Sequence, residues 1–202
     1  MNKKNISSLL FVIAIVVPVL IIYNIISKDQ FGEYEDLNNN NAWDFGEPIA
    51  NVDSTKKLIT IGGSVTEIVF QLGLGDMVSA VDQSSTLPPI VKDLPQVGYI
   101  RRISSEGILS IIPDLILTTT DIGPQNVVDQ IKETGVDMKI YQAPKTVQDI
   151  HTMVNDISKL LNAENQGRAI NKHLDLMIEE VEEFCADFEN PPRVVFFMNP
   201  SA

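Results

Sequence analysis

From Lys57 onward, short apolar runs alternate with longer segments whose apolar residues recur every three or four positions. The first run, Lys57–Gly63 (KLITIGG), ends in two glycines and predicts a strand feeding a tight turn. Ser64–Gly75 begins with Ser64-x-x-Glu67, a capping-box pattern, and closes on glycine, which predicts a helix. Further strands are predicted over Met77–Asp82, Asp114–Thr120 and Asp137–Ala143, with an irregular Pro-rich stretch over Thr86–Gly98. A short helix follows Ser104 and stops before Pro113, and another spans Gly123–Gly135. Thr146–Asn162 carries Val147, Ile150, Val154, Ile157 and Leu161 on one helical face. Ala163–Glu189 reads as a longer helix with Ile170, Leu174, Met177, Val181 and Phe184 as its stripe. Pro192–Asn199 (PRVVFFMN) reads as one more strand.

Strands alternating with helices predict the α/β class, a mainly parallel sheet covered by helices. The plan is an α/β unit over residues 57–162, a long helix over 163–190, and a last strand within 192–202. Such sheets bind ligands beyond the carboxyl ends of their strands. Those ends are Gly62-Gly63-Ser64, Asp82-Gln83-Ser84, Thr119-Thr120-Asp121 and Gln142-Ala143, so Ser64 and Asp121 become candidate ligand contacts. The IGGS turn lacks the spacing of a dinucleotide fingerprint, and no phosphate-binding P-loop is present. His151 and His173 lie among polar residues on helices and read as solvated. No nucleophile or acid–base cluster surrounds them, which argues against an enzyme.

The first 28 residues change the picture. From Ile6 to Ile26 the chain carries no charge, and Lys3 and Lys4 precede this run. At about 1.5 Å per residue the run is long enough to cross a hydrocarbon core of roughly 30 Å. It lacks an A-x-A cleavage pattern and a lipid-accepting cysteine, which favours an uncleaved anchor over a removed signal. The two lysines should stay in the cytoplasm, placing everything after about Lys28 on the extracytoplasmic side of the lipid bilayer. The formal net charge of -12 argues against a nucleic-acid partner. The one cysteine, Cys185, excludes an intramolecular disulfide and reads as a buried or half-buried helix residue.

Residues 29–55 are acidic and Asn-rich, with little that can form a core. Asp36, Asn38, Asn40, Asp44 and Glu47 fall at positions 1, 3, 5, 9 and 12 of an EF-hand-type calcium loop, with the backbone carbonyl of Ala42 at position 7. Asn41 stands where glycine is usual, and helical flanks are missing. The alternatives are a weak extracellular calcium site or a plain spacer.

Gln96–Leu109 (QVGYIRRISSEGIL) sets Tyr99 beside Arg101 and Arg102 in an acidic chain. A turn followed by a capped helix is the plain reading; a ligand site is the sharper one. Taken together, ITIGGSVTEIVFQLGLGDMVSAVDQSSTLPP and LPQVGYIRRISSEGILSIIPDLILTTTDIGP resemble the N-terminal lobe of the helical-backbone substrate-binding proteins of ABC importers, which serve heme, cobalamin and iron-siderophores. The hemin-binding subgroup is the most similar, and the resemblance runs from about Lys57 to Met198.

The resemblance implies roles. Tyr99, in a G-Y-x-R motif with Gly98 and Arg101, would give a phenolate to ferric heme, and the arginine would bond that oxygen or a propionate. The chemistry is consistent: tyrosine is an established axial heme ligand. A phenol ordinarily titrates near pH 10, so ionisation at neutral pH needs a nearby cation, Arg101 or Arg102. Glu106 would dock onto an arginine of the ABC permease, although a carboxylate there also suits a helix N-terminus. The long helix over 163–189 would join two lobes. The chain departs from the pattern by stopping after one strand of the second lobe, so a fragment or truncated product is expected. Cobalamin or a ferric siderophore remain alternatives to heme, and a membrane-anchored surface module with a vestigial cleft is a third reading.

Overall fold

The computed structural model describes residues 55–186. The predicted anchor (1–28), nearly all of the calcium-like segment (29–54) and the last strand (192–199) lie outside the described residues. Among the described residues no helix is long and apolar enough to cross a membrane.

The described residues form a four-stranded, all-parallel sheet in the order β2-β1-β5-β6, with its connections. Its strands are β1 (Leu58–Ile61), β2 (Val78–Val81), β5 (Leu115–Thr119) and β6 (Asp137–Tyr141). Between β2 and β5 lie a two-stranded antiparallel hairpin, β3 (Gly98–Tyr99) and β4 (Arg102–Ile103), and the short helix α2 (Ser105–Ser110). The other helices are α1 (Gly63–Gln71), α3 (Gln125–Glu133), α4 (Val147–Leu160) and α5 (Glu164–Ala186). The α/β reading therefore holds, with helices on both faces of a parallel sheet.

Strand alternation explains the two layers of core. In β1, Leu58 packs with Val65, Ile68 and Val69 of α1 and with Met153, Val154 and Ile157 of α4. Ile59 and Ile61 point the other way, against Ile103, Ile108, Val128 and Ile131. Each such fully buried aliphatic side chain contributes about 1.5–3 kcal/mol relative to exposure.

Several local expectations change. Ser64 does not cap α1: Gly62 holds the cap position at φ +108°, and no side chain bonds the free amides there. The capping box that does form is Thr146–Asp149 at α4, where the two residues exchange side-chain to backbone hydrogen bonds. Backbone N–H groups of Lys145, then the side chain and N–H of Thr146, hold the Asp149 carboxyl below its ordinary range. The Pro-rich stretch contains a 3-10 turn, Pro89–Asp93.

In α5, Ile170 is buried and Leu174 half-buried, but Met177, Val181 and Phe184 are 50%, 60% and 66% exposed. The predicted stripe is therefore covered only in its first turns, where α5 packs on α4. Cys185 is exposed, because it lies beyond that covered part. His151 is half-buried between α4 and α5, with its Nε2 3.3 Å from an Asp175 carboxylate oxygen. It is not the solvated residue its polar sequence neighbours imply.

Candidate functional site

The carboxyl ends of β1, β2, β5 and β6 meet at one edge, and a single buried carboxylate organises two of the loops there. Asp82, directly after β2, is 0% exposed. Its Oδ1 accepts from the Gly62 N–H at 2.8 Å and the Ser85 hydroxyl at 2.7 Å. Its Oδ2 accepts from the Ser84 N–H at 2.9 Å and the Ser84 hydroxyl at 2.5 Å. The Ser85 hydroxyl lies 2.8 Å from that of Thr66, which donates to the Thr60 hydroxyl at 2.8 Å. A buried carboxylate needs such donors to replace water.

The loop after β2 then positions the hairpin. The Gln83 N–H donates to the Gly98 carbonyl at 2.8 Å, and Val97 donates to Val81 at 3.0 Å. From the β5 side, the Gly123 N–H donates to Ile100 at 2.9 Å and the Ile103 N–H to Gly123 at 3.0 Å. The hairpin is thus held between the β2 and β5 ends. Gly98 sits at φ +108°, and a Cβ there would lie 2.7 Å from the Arg102 carbonyl oxygen. Only glycine fits this position.

Ile100 and Ile103 point from the hairpin into the core. Tyr99 points out and is 45% exposed. Arg101, at the turn, lies 3.8 Å from Asp121 in an ion pair open to solvent, a geometry that contributes little to stability. Arg102 is exposed on β4, directly opposite Tyr99. The structure therefore brings Gly98, Tyr99, Arg101 and Asp121 together. Ser64 is exposed on the first turn of α1.

Tyr141, the other described tyrosine, packs into the layer beneath α4. Burial, with the Asp156 carboxylate second, pushes its phenol up to about 12. It stays protonated at neutral pH and faces away from the hairpin's layer. Among the described residues no group of three or more His, Cys, Asp or Glu side chains is placed to hold a metal ion.

Glu106 lies in the first turn of α2, exposed, just after Ser104, whose hydroxyl caps the helix by accepting from the Gly107 N–H at 3.1 Å. It projects from the helix start and is available to a partner. Sequence reasoning passed over Asp82 as a site organiser and left Arg101 and Arg102 as interchangeable cations beside Tyr99. The signal for Asp82 was a carboxylate at a strand end followed by serines two and three residues on; the signal for Arg102 needed the hairpin register.

These features place a phenol and guanidinium groups from a fixed hairpin at the carboxyl edge of a parallel sheet, followed by a long helix. A family model for "Periplasmic binding protein" matches residues 58–201, and the chain belongs to that family. A vitamin B12-binding protein of Vibrio vulnificus (strain YJ016) is 28% identical over 147 residues, covering 70% of this chain and 50% of that protein. The periplasmic heme-binding protein BhuT, solved with two hemes, superposes with a TM-score of 0.68 at 30% identity, over 73% of this chain and 58% of its own. The heme-binding protein RhuT from Roseiflexus sp. RS-1, in apo form, gives 0.65 at 32% identity, over 68% and 52%. The chain spans about half the length of the curated relatives it matches first. Its family is one of binding proteins, not enzymes.

Proposed function

We propose that this chain is the N-terminal ligand-binding part of an extracytoplasmic substrate-binding component of an ABC importer, and that its ligand is ferric heme. The observation that carries the reading is Tyr99: an exposed phenol at the carboxyl edge of the sheet, on a hairpin fixed from both sides, with two guanidinium groups on the same hairpin. A hard phenolate oxygen suits ferric iron. The lobe supplies one wall of a cleft, the connecting helix leads to the other, and Ser64 and Asp121 border the ligand. The heme-binding neighbours in structure support this ligand.

The vitamin B12-binding relatives favour a second reading, cobalamin at the same edge. Absorption titration with hemin, with and without excess cyanocobalamin, separates the two. Saturable hemin binding undisturbed by cyanocobalamin supports heme; binding of cyanocobalamin alone overturns it.

Three finer parts of the proposal rest on the sequence. Glu106 docks the lobe on the permease. Glu106→Ala is expected to leave hemin affinity unchanged while lowering uptake at least several-fold in cells carrying the importer; normal uptake removes the assignment. Residues 1–28 anchor the chain in the bilayer, so an alkaline carbonate wash should leave it in the membrane pellet, and release into the supernatant argues for a removed signal. Asp36, Asn38, Asn40, Ala42, Asp44 and Glu47 bind calcium weakly. Calorimetric titration of a peptide spanning Asp29–Asp53 should give heat at millimolar calcium, and a flat trace leaves the segment as a spacer.

A further inference from the structure

The hairpin register separates the two arginines. Gly98 pairs with Ile103, and Tyr99 pairs with Arg102. Residues directly opposite on an antiparallel pair share a face, with Cβ atoms about 4.5–5.5 Å apart. The inward face is taken by Ile103, with the turn residue Ile100 beside it in the core. The outward face consists of Tyr99 and Arg102, both exposed. Arg101 is at the turn and its guanidinium is drawn to Asp121. Among the described residues, Arg102 makes no such ion pair. Strand pairing thus folds Arg102 back beside the phenol, on the same outward face.

We propose that Arg102 is a specificity-determining residue that selects, at Tyr99, ligands bearing a carboxylate. The assignment rests on the reading of Tyr99 as the ligand contact. A guanidinium presents a planar fork of N–H donors that matches a carboxylate in two parallel hydrogen bonds. An unpaired fork beside the phenol can take an anionic side group of a ligand whose centre is held by the phenol oxygen. Arg101 already faces the Asp121 carboxylate in a solvent-open pair, whereas the Arg102 fork has no such partner among the described residues. The structural alternative is that Arg102 only stacks on the Tyr99 ring, as cations do on aromatic faces. Stacking predicts no preference for acid over ester.

The test uses the full chain, hemin, and hemin dimethyl ester, whose carboxylates are blocked. Arg102→Gln is expected to lower hemin affinity about tenfold, in line with losing a charge-assisted hydrogen bond, and to leave ester affinity as it was. Arg102→Lys should keep part of the acid preference, and Arg101→Gln should cost less of that preference than Arg102→Gln does. Equal loss of acid and ester in Arg102→Gln, no loss of either, or a selective loss in Arg101→Gln as large as in Arg102→Gln overturns the assignment while leaving Tyr99 as ligand. A wild-type chain that binds no hemin overturns the heme reading itself, and the Arg102 assignment with it.

Discussion

Tyr99→Phe is expected to abolish the tyrosinate-type Soret and charge-transfer bands of the hemin-loaded chain and to lower hemin affinity by more than about 100-fold. Changes to groups that merely support a metal ligand cost about 10–100-fold, and this change removes the ligand atom itself. The substitution leaves the ring and takes away one oxygen. Tyr99 is 45% exposed, and the hairpin is fixed by backbone bonds from Gln83 and Gly123 that the side chain does not enter. Stability should therefore move by no more than about 0.5 kcal/mol, as for exposed positions generally. Tyr141→Phe is the control. That phenol lies in the opposite layer and stays protonated up to about pH 12, so the spectrum should not change. Absorption spectra and urea midpoints of the two variants decide the matter. A hemin spectrum unaltered in Tyr99→Phe removes Tyr99 from the site.

The contrast between these tyrosines shows how much of the molecule was legible in its sequence. Short apolar runs and three-to-four spacing placed the sheet strands and the main helices within a few residues, because burial on both faces of a parallel strand, or on one face of a helix, imposes those patterns. The edge of the sheet was also legible, since strand ends in a parallel sheet converge by topology. What sequence left open was anything set by pairing between distant segments. Arg101 and Arg102 are equivalent as neighbours of Tyr99 in the chain, and only the register Tyr99–Arg102 tells them apart. The misplaced cap has a similar cause. Ser64-x-x-Glu67 matches a capping box, yet the Asp82 carboxylate, twenty positions away, fixes the turn at the Gly62 N–H, and the cap falls on Gly62, two residues before Ser64. The stripe on α5 was read correctly as apolar, but a periodic pattern says that a face wants covering and not what covers it. Within the described residues α4 covers its first turns and the rest stays exposed.

Asp82→Ala is expected to cost about 3–5 kcal/mol of stability, the largest effect of any single change at this edge. The side chain is fully buried and accepts four hydrogen bonds, from the Gly62 and Ser84 amides and the Ser84 and Ser85 hydroxyls. Leaving one buried donor without a partner costs about 1–3 kcal/mol. The two hydroxyls can rotate, and Ser85 keeps Thr66 as a neighbour, so the loss falls mainly on the two amides, which are fixed. Domains of this kind hold about 5–15 kcal/mol in total, so the variant should be partly unfolded at 37 °C. Asp82→Asn supplies the discriminating comparison. Its remaining carbonyl oxygen can still serve one side of the network, while its NH2 group meets the Ser84 amide donor to donor. About half the loss should return. Ser84→Ala, which removes one donor and leaves the carboxylate three, should cost about 1 kcal/mol. Urea denaturation of the three variants measures the series. The ordering Ala above Asn above Ser84→Ala follows from counting fixed donors against the acceptors left to them. A loss below about 1 kcal/mol in Asp82→Ala means that water enters and replaces the carboxylate, and that the loops at this edge are held by their backbone bonds alone. In that case hemin affinity in Asp82→Ala stays at the wild-type value. If the carboxylate is the organiser, affinity falls even in the folded fraction, because the Gln83 N–H that holds the Gly98 carbonyl moves with the loop that Asp82 fixes.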